Sequence, residues 1–169
     1  MVHFLIQVMA TWGIAYLPFS LARCECLTLH TPIQERCLAG IIRVLQCSFN
    51  LRMLIIHMAP PYFEFETCFI PVVNDVSSVG GKFRLSALSK EWGLHLKKIR
   101  VCGFEGMRSG LEVLFLRDLL LISANLEMMA IEWRSGHENS IRDASDEFVA
   151  ESLRNVRTLS KNAVILFKN

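Results

Sequence analysis

Three glycines stand where phosphate chemistry could occur. Gly103, Gly106 and Gly110 lie in CGFEGMRSG (Cys102 to Gly110), between an alternating apolar run and a leucine-rich one. A glycine turn that opens a helix aims unpaired backbone amides at an anion. The spacing is GxxGxxxG, however, where the dinucleotide fingerprint is GxGxxG, and no GK[ST] comes after it as a phosphate loop requires. Glu105 would also set a carboxylate against any bound phosphate. The residues therefore fit a structural turn better, one that needs positive backbone angles at one or two glycines. An α/β enzyme that binds a nucleotide at residues 103–110 is the competing reading, with Glu132 as the acidic residue closing the next strand.

The other reactive side chains form no recognisable set. His3, His30, His57, His95 and His137 are dispersed, with neither HExxH nor HxH spacing for a metal. Cys24 and Cys26 with His30 are the nearest approach to one, and core or strand-end positions suit them better. No serine lies in GxSxG, and Asp143, Asp146, Glu147 and Glu151 read as a solvated helix face. No catalytic, cofactor or metal residue is expected. The remaining candidates are Tyr62, Phe63, Phe65 and Phe69 in PPYFEFETCF, a partner-binding patch if exposed and a packed underside of a loop if not.

Composition narrows the classes further. The 169 residues suit one domain, and 52% hydrophobic with 20% charged residues describes a folded chain. A net charge of +2, with Lys97, Lys98 and Arg100 as the densest basic cluster, is too weak for nucleic acid. Six cysteines without CxxC or framework spacing point to a reducing compartment, cytoplasmic or nuclear. Residues 1–22 contain no Lys or Asp, no Glu and no Arg, and are read as the first layer of the fold or as a signal or anchor. As a signal they would send the chain to the secretory pathway, or as an anchor tether it to a membrane. Gln7, Thr11, Gly13 and Pro18 interrupt the run.

Positioning these residues falls to strands and helices in alternation. CECLTL (24–29), LRMLII (51–56), LKKIRV (96–101), LEMMAI (126–131) and AVILF (163–167) read as strands. Helices are expected over 35–48, with Leu38, Ile41, Ile42 and Leu45 on one face, and over 110–123, with Leu111, Leu114, Phe115, Leu119 and Ile122 on one stripe. A third is expected over 144–160, with Phe148, Leu153, Val156 and Leu159 inward and Asp143 or Ser145 as its cap. Strand-helix alternation implies a parallel sheet. Residues 59–94, with Pro60, Pro61, Pro71, Gly80 and Gly81, form an irregular excursion from a single domain over 23–169. Strand starts at 24 and 51, and at 96 and 126, are separated by about 27 and 30 residues, near the ~20–29 of leucine-rich repeats.

One long string carries a resemblance. HLKKIRVCGFEGMRSGLEVLFLRDLLLISANLEMMAIEW (95–133) resembles the carboxy-terminal FBD-type region of plant F-box proteins with leucine-rich repeats. Leu96, Lys97, Ile99, Val101, Gly103, Phe104 and Gly106 match its "LK.V.I.GF.G". Glu112, Leu119, Leu120, Ala124, Leu126, Glu127, Met128 and Ile131 match its second part, an acidic residue and apolar helix leading into "A..LE.M.I". Weaker likeness covers residues 19–169, and nothing in residues 1–50 resembles the F-box itself. The resemblance implies a short α/β solenoid of leucine-rich-repeat type, with parallel strands on one face and helices on the other. It also implies non-catalytic recognition of a protein partner, as in the substrate-binding half of a ubiquitin-ligase adaptor without its docking half. An uncapped repeat edge would favour self-association.

Overall fold

In the computed structural model, residues 3–7, 19–59, 92–105, 110–134, 149, 151–153, 155–156 and 163–168 are described. The strands are β1 (His3–Gln7), β2 (Cys26–Thr31), β3 (Met53–Met58), β4 (Lys98–Phe104), β5 (Met128–Trp133) and β6 (Val164–Lys168). The helices are α1 (Glu35–Gln46) and α2 (Leu111–Ile122), with short 3-10 helices at Phe19–Arg23 and Trp92–Leu94. All neighbouring strands pair in parallel, and the sheet order is the chain order, β1 to β6. Each strand is thus added to the same edge, and among the described strands the order never reverses. The expected α/β class with a parallel sheet holds.

Two rows of side chains explain the register. Leu27, Leu54, Ile99 and Met129 are paired neighbours, and so are Leu29, Ile56, Val101 and Ile131. All eight are fully buried in the core. Covering them are Leu38, Ile41, Ile42 and Leu45 of α1 and Phe115, Leu116, Leu119 and Leu120 of α2. Burial of one such side chain is worth about 1.5–3 kcal/mol, and a slip of one residue would turn a whole strand inside out.

The strands begin one or two residues later than their alternation predicts, and the reason repeats along the chain. Cys24, Leu51, Leu96 and Leu126 are buried like strand residues but precede the ladder. Turn hydrogen bonds hold three of them, from Cys24 N to Leu21 O, Leu51 N to Ser48 O and Leu126 N to Ser123 O. One residue later the chain joins its neighbour. Glu25 O accepts from Arg52 N and Met53 N, Arg52 O from Lys97 N and Lys98 N, and Lys97 O from Glu127 N and Met128 N.

A serine at or just past the end of α1 and of α2 faces two ways. Ser48 and Ser123 are buried, and their hydroxyls donate to Val44 O (2.8 Å) and Leu119 O (2.6 Å), four residues back. Their own carbonyls accept the turn amides of Leu51 and Leu126. Asparagines then tie each unit to the one before it, with Asn50 Nδ2 donating to Ala22 O (2.7 Å) and Asn125 Nδ2 to Leu94 O (2.8 Å).

Three expectations meet the structure differently. Leu114, placed on the inward stripe of α2, is 46% exposed, because Leu116 and Leu120 occupy the covered side with Phe115 and Leu119. Residues 1–22 contribute β1, paired with β2, and among the described residues no helix is long and apolar enough to cross a membrane. Of the third helix, Val149 and residues 151–153 are helical, with Leu153 buried as expected, while Phe148, Leu159 and the caps Asp143 and Ser145 lie outside the described residues. So does most of the 59–94 excursion.

Gly93 marks the tightest packing. A Cβ there would run into the carbonyl of Ile122 at the end of α2, whereas one on Gly110 would meet nothing within 4 Å. Gly93→Ala should therefore lower unfolding free energy by about 1–3 kcal/mol, the usual cost of overpacking. Gly110→Ala should stay within about 0.5 kcal/mol of the parent in urea denaturation.

Candidate functional site

The glycine turn is occupied by the chain's own charges. Gly103 has φ +78° and sits at a register shift, because Cys102 pairs with Glu132 while Phe104 already pairs with Trp133. This is a bulge that glycine alone adopts without strain, and a Cβ would also approach Met58 O to 3.0 Å. Arg134 closes it. Its Nη2 donates to Met58 O (2.6 Å) and Gly103 O (3.2 Å), and its Nη1 pairs with Glu105 Oε1 at 2.6 Å.

One backbone amide of the run, that of Glu105, is also taken. Glu105 N–H donates to Glu112 Oε2 (3.2 Å), a carboxylate in the first turn of α2, where the helix dipole favours negative charge. Gly110 has an ordinary φ of −49°, and residues 106–109 lie outside the described residues. The bulge buries Phe104, whose ring meets Trp133 edge-on at 5.0 Å; Trp133 in turn stacks on Phe167 at 6.4 Å.

The second feature is the outward face of the sheet, opposite the two buried rows. Its side chains form rows by register. Cys26, Met53, Lys98, Met128 and Val164 make the first, Thr28, Ile55, Arg100, Ala130 and Leu166 the second, and His30, His57, Cys102, Glu132 and Lys168 the third. Cys26 and Ala130 are buried yet stand apart from the main core, as their outward direction requires. Val164 (54% exposed) and Leu166 (39%) leave apolar surface at the β6 end.

Polar chemistry concentrates in the third row. The rings of His30 and His57 stack at 4.5 Å with 17° between their planes. Arg100 makes a two-pronged pair with Glu132, Nε to Oε1 and Nη2 to Oε2, both 3.0 Å, and the Cys102 thiol donates to Glu132 Oε2 at 3.3 Å. The hydrogen bonds from Arg100 hold the Glu132 carboxyl below its ordinary range. Burial, then the Glu132 carboxylate, pushes the Cys102 thiol up, away from the thiolate a nucleophile needs. Burial first, then the charges of His30 and Arg100, lowers the His57 imidazole, with Glu132 opposing.

The expected site residues fall unevenly on this frame. Tyr62, Phe63, Phe65 and Phe69 lie outside the described residues. Cys24 is part of the core and its Sγ donates to Cys26 O (3.1 Å), whereas Cys26 faces the other side, so the two thiols do not converge with His30. Among the described residues no group of three His, Cys, Asp or Glu could hold a metal ion. Asp143, Asp146 and Glu147 are outside the described residues, and Glu151 is exposed. The His30–His57 stack and the Arg134 clamp went unread in the sequence. Equal distance from a buried aliphatic residue, His30 after Leu29 and His57 after Ile56, is the signal that would have found the stack. Comparison of the chain with family models, curated proteins and solved structures gives no match.

These charges set two expected outcomes. Glu105 is 8% and Arg134 23% exposed, so Arg134→Ala should cost about 2–3 kcal/mol, below the ~3–5 kcal/mol of a fully buried pair. An unchanged urea midpoint would show that the clamp is ornamental. With its folded pKa below the unfolded value of about 6.5, His57 contributes full stability above that pH and loses it as pH falls toward the folded value. Unfolding at pH 7.5 and 5.5 should show a larger drop for the parent than for His57→Gln; an equal drop would contradict the assignment.

Proposed function

We propose that the chain is a non-catalytic protein-recognition module, a short solenoid of leucine-rich-repeat type that presents the outward sheet face to a partner. The observation that carries this reading is the strand order, with every described strand adding to the same edge and three of them, β2, β3 and β5, entering through the same turn. A solenoid grows in this way, whereas an open sheet that binds nucleotides reverses its order at a switch point. The likeness of residues 95–133 to the FBD-type region of plant F-box proteins supports the same reading, and with it a role in choosing substrates for a ubiquitin ligase.

The chemistry of the two features agrees. At the glycine turn, Glu112 takes the Glu105 N–H that an anion could otherwise accept from, and the Arg134 guanidinium is already held by Glu105 and two backbone carbonyls. On the outward face, burial and a neighbouring carboxylate keep Cys102 protonated, and Glu132 is engaged by Arg100. What this face offers is area with mixed apolar and charged side chains, the makings of an interface. The compartment consistent with free thiols at Cys26, Cys47 and Cys102 is cytoplasmic or nuclear.

Proximity labelling with the chain fused to a biotin ligase tests the surface. Recovery of specifically labelled proteins should fall at least tenfold for an Ile55→Asp, Leu166→Asp double variant, and stay unchanged for Arg43→Asp on the exposed side of α1. The reverse pattern would place recognition on the helices.

A further inference from the structure

The recognition reading leaves open what kind of partner the outward face takes, and the charges on that face narrow it. Lys98, Arg100 and Lys168 point outward from β4 and β6 against one carboxylate, Glu132. Arg100 holds Glu132 through two hydrogen bonds, and Lys98 and Lys168 are exposed cations beside the pair, Lys168 next to Glu132 in the row. Beside them lie Ile55, half-buried on β3, and Val164 and Leu166, exposed on β6.

His57, stacked on His30, adds charge that depends on pH. His30 on β2 and His57 on β3 lie face to face at 4.5 Å. Gln7 is the register partner of His30 on β1. From β4 the stack is faced by Arg100 and the Cys102 thiol, with Glu132 on β5 next in the row and Lys168 on β6 last. The carboxylate nearest the stack is already bound by Arg100, so a protonated His57 has no free anion of the chain's own to meet among these residues. An anion supplied from outside would relieve the repulsion between a protonated His57 and Arg100.

Resting on the recognition reading above, we propose that the outward sheet face binds an extended acidic peptide segment, with carboxylates on Lys98, Lys168 and the His30–His57 stack and apolar side chains between them. A peptide suits this surface better than a nucleic acid does. The free cations are few and apart, and no Phe, Tyr or Trp stands in the three rows to stack on bases. Because bound carboxylates favour protonated imidazole, binding takes up protons and tightens as pH falls toward 5.5.

The test is selection of a random peptide library displayed on phage against the immobilised 169-residue chain, then fluorescence anisotropy of the enriched peptides. Acidic residues should be enriched. Their affinity should rise at least ~3-fold between pH 7.5 and 5.5, a rise that His57→Gln removes. A Lys98→Glu, Lys168→Glu variant should weaken binding at least ~10-fold, with Lys98→Gln, Lys168→Gln between. Enriched peptides without acidic bias, indifference to the charge reversal, or equal binding of a single-stranded oligonucleotide would overturn the acidic-partner proposal alone. Failure to enrich any peptide would overturn the recognition reading with it.

Discussion

Burial of one face of a parallel sheet is the constraint on which the rest of the molecule depends. Eight fully buried side chains in two rows, Leu27 to Met129 and Leu29 to Ile131, fix the register of four strands at once. They can stay buried only if each strand arrives in phase. The repeated entry turn ensures this, since a buried Cys or Leu anchors the chain and its next residue meets the preceding strand through backbone hydrogen bonds. Helix, serine, turn and strand therefore form one mechanical unit. Its outer asparagine, Asn50 or Asn125, fastens it to the unit before.

That same phase decides what the other face can be. With alternate residues committed inward, His30, His57, Cys102, Glu132 and Lys168 fall into line across five strands although they are scattered in sequence. Their proximity owes nothing to local motif. Gly103 interrupts the pattern once, and the bulge returns Phe104 to the core. The Gly103 carbonyl at this bulge and the Met58 carbonyl on β3 are both taken by Arg134, which bridges β3 and β4 and pairs with Glu105.

The alternation of apolar residues made five strands and the two long helices legible, because periodicity reports which side is buried. It placed the strand starts early, since Leu51, Leu96 and Leu126 are buried before the ladder begins and burial alone cannot mark where pairing starts. It also overstated the α2 stripe at Leu114, because a helix with leucine all round does not say which side is covered. The glycine spacing at 103–110 speaks for shape over phosphate chemistry, and Gly103 has the left-handed φ that a structural turn demands. Nothing local to Arg134 or to the two histidines betrays their partners. Those contacts span 76, 31 and 27 positions and exist only once the sheet is in register.

Recognition through the outward face is the central claim, and site-specific photo-crosslinking tests it most directly. A benzophenone amino acid would replace Ile55 on the outward face in one chain and Arg43 on α1 in another, each irradiated in cells. The account predicts a discrete protein adduct from position 55 and none from position 43. An adduct confined to position 43 would contradict it.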